Sequence, residues 1–420
     1  MCPEQHLNVS ISLIGFVLLS MLNPDFSIFN DNMFLQVRQI LNDVPMQTTE
    51  ELLDVTVGEP QMPPPDWLAE VLNAESKNWQ AYPKAFADQA FLDDVAVYIE
   101  ARFPALSGRF DLADHIVPVP GTREPLHLLG WCVRGAKQNS CALVSNPFYH
   151  AWRAGALASG GQIVYINASA ETGFLPSLDS LDEATLSRCT ILYLCTPTNP
   201  HGMIASPDYI AKALQLARQF NFLLVVDECY VDIWRQTCPT SALEVANQMP
   251  APGDDPFANL VVLNSLSKRS NAAGLRAGFL CGDKALIAAY KLVVANGGAL
   301  VPTPLLRVAG ALYRDDQHNQ TIRQHYTTSF QILSGHVPII IPEGGFFLWY
   351  PVPEAFGGDD AACAQHLFGQ WGIKTVPGSV MAEQTDDGNP AAGYLRLAIV
   401  HDHDKVDELG QRLARFESSL

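Results

Sequence analysis

Six short apolar runs constrain this chain more than any other feature: "CALVSN", "QIVYIN", "TILYLC", "FLLVVD", "LVVLNS" and "GFLCG". Each is 5 to 6 residues long and rich in Val, Ile and Leu, without strict polar alternation. Strands buried on both faces have that composition, because neither face meets water. Between two of them, "SPDYIAKALQLARQFN" opens on a Ser-Pro-Asp start signal and carries apolar residues at helical spacing. Strand, helix and strand in repetition predict an α/β layer with a largely parallel central sheet flanked by helices. On such sheets ligands collect beyond the carboxyl ends of the strands, so the residues leaving each run are the ones to inspect.

After about residue 305 the pattern changes. One long helical stretch, "PLLRVAGALYRDDQHNQTIRQHYTTSFQIL", precedes "VPIIIPEGGFFLWYPV", which predicts strands on both sides of a Gly-Gly break. A helix around "AACAQHLFGQW", a strand "YLRLAIV" and a final helix "VDELGQRLARFES" follow. The expected organisation is a poorly integrated extension over 1–21, a first part of a small domain over 22–57, a large domain over 58–305, and the rest of a smaller α+β domain over 306–420. The apolar run "VSISLIGFVLLSML" is too short for a comfortable membrane span, and no lysine or arginine precedes it. A net charge of -18 argues against a nucleic-acid backbone or an anionic membrane as partner, while leaving room for local small-anion sites. Nine scattered cysteines without a C-x-x-C pair fit reduced thiols in a cytoplasmic protein.

The strand ends carry the chemistry. "LYLCTPTNPHG" delivers Asn199, "LLVVDECYVD" delivers Asp227 and then Tyr230, and "VVLNSLSKRSN" delivers Ser265, Ser267 and Lys268. Arg276 follows the lysine by eight positions. Upstream, "IVPVPGTREPLHLLGWCV" passes through Gly121, Thr122 and Arg123 into an apolar helix, and such a turn offers backbone N–H groups and a helix dipole to phosphate. Each piece alone is weak: glycine turns, strand-end aspartates and loop lysines are common. No G-x-x-x-x-G-K-[ST] occurs, and no G-x-G-x-x-G follows a strand, so nucleotide readings lose their main support.

Together the pieces suit pyridoxal phosphate, which needs a lysine amine for its aldehyde, an acid opposite its pyridine nitrogen, donors to its phenolic oxygen and an anion cradle. Lys268 would hold the aldehyde carbon and later shuttle a proton. Asp227 would keep the pyridine nitrogen protonated. Asn199 and Tyr230 would bond the phenolic oxygen, and Gly121, Thr122, Ser265, Ser267 and Arg276 would receive the phosphate.

The order G-T, N-P, D-x-x-Y, then S-x-S-K with arginine at plus eight resembles the aspartate-aminotransferase-like group of fold-type I pyridoxal-phosphate enzymes, over nearly the whole chain after residue 21. The segments "PGTREPL", "SNPFYHAW", "ALYRDDQHN", "EGGFFLWYPVP" and "GYLRLAIV" look most like succinyldiaminopimelate aminotransferases. The resemblance implies a ring on the pyridine from Tyr149, with Phe148 as the alternative, and a further cofactor contact from Arg123. It implies that Tyr82 reaches a neighbouring subunit's cofactor phosphate in a homodimer. It places Gly58, Asn199 and Arg396 against the substrate, with Arg396 clamping its α-carboxylate. Glutamate is the implied donor and N-succinyl-2-amino-6-oxopimelate the implied acceptor, whose remote carboxylate asks for a second cation; Arg123 and Arg269 are candidates. Transamination of other amino acids, a β-lyase, or a non-catalytic ligand-binding descendant are the alternatives. Pro120 departs from relatives by removing a backbone donor before Gly121, and "YPKAFADQAFLDDV" lacks their usual glycine after Tyr-Pro.

Two constellations carry less. "VHDHDKVDE" offers His401, Asp402, His403 and Asp404 for a metal, but it joins a strand to the last helix, where aspartates cap. Asp227 and Glu228 are adjacent, so in a strand they face opposite sides and cannot pair as acid and base.

Overall fold

The computed structural model describes residues 24–30, 32–83, 86 and 88–420, so the extension expected over 1–21 lies outside the described residues. Its centre is a seven-stranded sheet made of β2 (Ile116–Val119), β3 (Cys141–Asn146), β4 (Gln162–Asn167), β5 (Cys189–Cys195), β6 (Leu223–Asp227), β7 (Leu260–Ser265) and β8 (Gly278–Gly282). The order is β2-β8-β7-β6-β5-β3-β4; neighbours from β7 to β4 run parallel, and β8 runs antiparallel to both β7 and β2. All six apolar runs are strands of this sheet.

Two separate cores explain their unbroken hydrophobicity. Leu143, Leu224 and Val226 pack into one face, while Val144, Leu223 and Val225 pack into the other. Each fully buried Val or Leu contributes about 1.5–3 kcal/mol, so a register slip would lose little apolar burial but would move every residue at the strand ends. Helix Pro207–Phe220 shows how a covering layer is specified: Ser206 Oγ accepts the Tyr209 N–H at 3.2 Å, Pro207 stands at the first turn, and Asn221 ends the helix at φ 50°. Its buried residues Ile210, Ala213, Leu214 and Ala217 form the expected single stripe.

The C-terminal part forms a three-stranded antiparallel sheet, ordered β11 (Val376–Pro377), β12 (Tyr394–Ala398) and β9 (Phe347–Pro351). β1 (Leu53–Asp54) pairs parallel with β10 (Ile373–Lys374), which ties the N-terminal segment to this part. Leu348, Leu395 and Leu397 face a core with Phe330, Leu367 and Leu409. The opposite face presents Phe347, Trp349 and Arg396 toward the large sheet.

Two expectations need correction. The long helical pattern is two helices, Thr303–Arg314 and Asp316–Ser334, because Asp315 leaves helical geometry and accepts the His318 N–H at 2.9 Å as a cap. The "VPIII" segment before the Gly-Gly break forms no strand, and the break itself holds only an isolated bridge between Gly344 and Trp234. Pro338 and Pro342 cannot donate to a ladder, and Arg235 takes the carbonyls of Pro342 (2.7 Å) and Gly345 (2.6 Å) instead. No helix among the described residues is long and apolar enough to cross a membrane.

Candidate active site

At the carboxyl end of β6, Asp227 is buried and accepts the Cys229 N–H at 3.2 Å. Burial pushes its carboxyl up to about 6, against opposing hydrogen bonds from Cys229 and the charge of Lys268. Its neighbour Glu228 points the other way, accepting from Ala242 N at 2.7 Å and Ser241 Oγ at 3.1 Å, and burial lifts it to about 8. The two carboxyls therefore serve different faces, as the strand geometry predicts.

β7 ends in a turn that converts directly to the short helix Leu266–Arg269. Ser265 caps it, accepting the Ser267 N–H at 3.2 Å, and the two serine hydroxyls stand 2.9 Å apart. Lys268 projects from this helix, donates to the Gly58 carbonyl, and lies 5.4 Å from the Phe346 ring centroid. Burial lowers its ammonium to about 8, with the charges of Arg396 and Arg276 acting in the same sense. An amine so desolvated is a better nucleophile at neutral pH than an exposed lysine.

Gly121 and Arg276 meet in the turn before helix Arg123–Cys132. Gly121 has φ 76°, and a Cβ there would stand 2.5 Å from Arg276 Nη2. Only glycine suits both the left-handed backbone and the guanidinium packed on it. Arg276 donates to the Pro120 carbonyl at 3.1 Å and to the Ala273 carbonyl at 2.8 Å. Pro120 thus lacks an N–H for the turn but anchors the arginine through its carbonyl. Pro125 is buried in the first turn of the helix, where proline is tolerated. Thr122 precedes that helix, and its side chain makes no capping bond.

Arg396 is buried on β12, with Nη2 2.7 Å from the Thr56 carbonyl, Nη1 3.4 Å from Asn199 Oδ1, and its guanidinium 4.5 Å over the Phe347 ring. Burial lowers it to about 10. Its partners are a carbonyl, an amide oxygen and a ring, all neutral, so a fork suited to a carboxylate stays short of negative charge. Tyr230 is buried edge-on against Phe346 and Phe347, at 5.5 and 6.1 Å, and burial drives its phenol well above the usual range. Gly58 closes this wall; a Cβ there would lie 2.4 Å from Phe347 Cζ.

Tyr149 accepts from Arg123 Nε at 3.2 Å and lies within electrostatic reach of Asp227. Phe148 instead packs under Arg153 (4.7 Å) and against Tyr165 (5.5 Å), so of the two rings Tyr149 is the one associated with Asp227. The fold thus gathers Lys268, Asp227, Asn199, Tyr230, Gly58 and Arg396 between the large sheet's strand ends and the β9–β12 face, with Gly121 and Arg276 beside them. Tyr82 is not among them: it is 98% exposed in the single chain.

Arg269 is not available to a ligand. It is buried, pairs with Asp232 at 3.0 Å, and donates to the carbonyls of Leu312 (2.7 Å) and Tyr313 (3.2 Å). The expectation of a second substrate cation there is overturned, because the side chain leaves the helix on the core side. His401 and His403 engage the carbonyls of Asp54 (3.0 Å) and His325 (3.3 Å), Asp402 caps the last helix, and no metal-holding group occurs among the described residues. Sequence reasoning missed Thr56, whose carbonyl orients Arg396, and the Phe346–Phe347 wall. The phenylalanines stood in the quoted "EGGFFLWYPVP"; a backbone carbonyl leaves no signature.

Residues 50–413 match the family model described as aminotransferase class I and II. The chain belongs to the class I and II aminotransferases. Among relatives of this aminotransferase, an LL-diaminopimelate aminotransferase of Syntrophobacter fumaroxidans is 26% identical over 87% of this chain and 91% of its own length. A probable aminotransferase of Mycobacterium tuberculosis is 28% identical over 84% of this chain and 78% of its own. An aminotransferase structure from Neisseria meningitidis superposes with a TM-score of 0.85 at 28% identity, covering 95% of this chain and 99% of that one. The fold is that of the fold-type I enzymes, and the cofactor of the family is pyridoxal phosphate. The site suits it: a desolvated lysine amine donating to a backbone carbonyl, a buried acid at a strand end, and a glycine turn packed on an arginine occur together.

Proposed function

We propose that the aminotransferase moves an amino group between glutamate and a 2-oxo acid of the diaminopimelate skeleton, N-succinyl-2-amino-6-oxopimelate being the favoured acceptor. The observation that carries the reading is the pairing of two underused cations: the half-buried Lys268 amine and, across Gly58 and Thr56, the buried Arg396 guanidinium held by neutral partners. The names of the LL-diaminopimelate aminotransferase relatives support the substrate class.

In this reading Lys268 holds the cofactor, Asp227 pairs with its pyridine nitrogen, and Asn199 and Tyr230 face its phenolic oxygen. Gly121, Thr122, Arg123, Ser265, Ser267 and Arg276 hold its phosphate, and Tyr149 lies on its ring. When bound, pyridoxal phosphate supplies an aldehyde that takes up the amino group and a ring that stores the electron pair of the cleaved C–H bond. Arg396 would bind the substrate α-carboxylate and so present the α-hydrogen to Lys268 Nζ, which, once the substrate amine has displaced it from the cofactor, would be free as an amine to take up that proton and give it back. The exposed Arg123, joined to the Tyr149 hydroxyl, remains the cation for a remote carboxylate. Two such chains form the active unit, with the exposed Tyr82 reaching the partner's site. The division into 22–57, 58–305 and 306–420 belongs to the same proposal and is supported by the β1–β10 pairing.

Absorbance tests the reading. Glutamate should move the band of the purified enzyme from about 420 nm to about 330 nm, as conversion to the aminated cofactor requires. LL-diaminopimelate and its N-succinyl derivative should do the same. If glutamate succeeds and both of these fail, the diaminopimelate assignment falls while transamination stands.

A further inference from the structure

At the opposite end of the large sheet, where β3, β4 and β5 begin, lies a cavity of about 580 Å³ that includes Arg134, Lys137 and Arg188 in its lining. The active-site residues leave the far ends of these and neighbouring strands. Strands of six residues put the two regions about 20 Å apart. No aspartate or glutamate lines the cavity, on a chain with 44 acidic and 26 basic residues.

The three cations are held in place by carbonyls of separate segments. Arg134 Nη1 donates to Ala158 O at 2.9 Å, Lys137 Nζ to Phe220 O at 2.6 Å, and Arg188 Nη1 to Asn139 O at 3.1 Å. Arg134 also lies 5.1 Å over the Trp131 ring, and Gly160, at φ 75°, leaves its guanidinium room: a Cβ there would stand 3.2 Å from Cζ. Each carbonyl uses one donor of its cation and neutralises none of the charge. Asn139, Ser140 and Gln162 add polar groups to the same lining. Burial depresses the Lys137 ammonium, so a nearby anion would restore what desolvation takes. Arg188 is also within electrostatic reach of Asp182, an exposed carboxylate outside the cavity lining, so Arg134 and Lys137 are the two cations that face no carboxylate in that lining. Cations already restrained by a carbonyl lose less side-chain entropy on binding, and the open, polar depression has room for a small hydrated anion.

We propose that this cavity is a second binding site, for a small anion carrying three or more negative charges, such as a diphosphate group or a tricarboxylate. The shared chemistry is several anionic oxygens close enough to span three fixed cations. The full-length chain loaded with pyridoxal phosphate is titrated calorimetrically at low salt with pyrophosphate, ADP and citrate in turn. The loaded cofactor keeps its own phosphate site filled, and its absorbance checks that it stays.

Binding of at least one anion is expected, weakening at least tenfold in Arg134→Gln/Arg188→Gln and falling as salt rises. Amino transfer from glutamate should be unchanged in that variant. Pyrophosphate ahead of citrate would identify a phosphate site, ADP ahead of both a nucleotide site, and citrate ahead of both a polycarboxylate site. If the double variant does not fold, Lys137→Gln alone, checked by its melting temperature, should still weaken binding severalfold. Equal affinity in native and variant proteins, or no binding of any of the three at millimolar concentration, would overturn the proposal.

Discussion

Cofactor capture by the apo-protein should follow two desolvated groups. Only the neutral amine of Lys268 attacks an aldehyde, and burial lowers that amine to about 8. At pH 7 roughly one-tenth of it is neutral, about two hundred times the neutral fraction of an ordinary exposed lysine. Asp227 must be ionised to receive a protonated pyridine nitrogen, and burial raises it to about 6. The rate of capture should therefore level off above pH 8, fall about tenfold per pH unit between 8 and 6, and fall more steeply below 6. Stopped-flow absorbance near 420 nm, with apo-protein mixed with excess pyridoxal phosphate across this range, reads the rate directly. Arg396→Gln removes a cation that helps keep the amine neutral, so it should move the upper bend to higher pH while leaving the lower one in place. An upper bend near 10, where free lysine titrates, would refute the claim that Lys268 is desolvated by Gly58, Phe346 and their surroundings.

Gly121→Ala forces a methyl into the left-handed region and against Arg276; the combined cost of about 2–3 kcal/mol should weaken pyridoxal phosphate binding roughly 30- to 150-fold by absorbance titration. Arg396→Lys keeps the charge but loses the fork, so kcat/KM for 2-oxo acids should drop about 10- to 100-fold while the spectrum of the bound cofactor is unaltered. Arg269→Gln removes one of two arginines on Asp232, which keeps Arg102 at 3.0 Å and the Tyr98 hydroxyl at 2.8 Å, so the melting temperature should fall by an amount consistent with a loss of about 1.5–3 kcal/mol, with KM values of the surviving enzyme unchanged. Glu228 has a folded pKa of about 8, above its unfolded value, so its contribution is fully present below about pH 4.5 and is lost as pH rises through 8. Glu228→Gln should therefore flatten that part of the stability–pH curve, measured by denaturant melts from pH 5 to 9.

What could be read from the chain alone follows from how locally each feature is encoded. The strands were legible because their residues are buried on both faces, which leaves no polar alternation to mislead. Asn199, Asp227 and Lys268 were legible because each follows such a strand directly, and strand ends on a parallel sheet converge in space. Arg269 shows where this logic stops. It adjoins Lys268, yet one step along a helix turns a side chain by about 100°, so the lysine faces the cleft while the arginine enters the core to meet Asp232. Its partner, 37 positions upstream, carries no mark in the sequence as the residue that would claim it. Thr56 is harder still, since it acts through a carbonyl that any residue would supply. The Gly-Gly region failed for another reason: "VPIII" has strand composition, but its flanking prolines and the reach of Arg235 from a distant loop decide against a ladder. Chemistry on strand ends can thus be inferred one residue at a time, whereas the partner that draws a neighbouring cation away becomes visible only when the chain has closed around it.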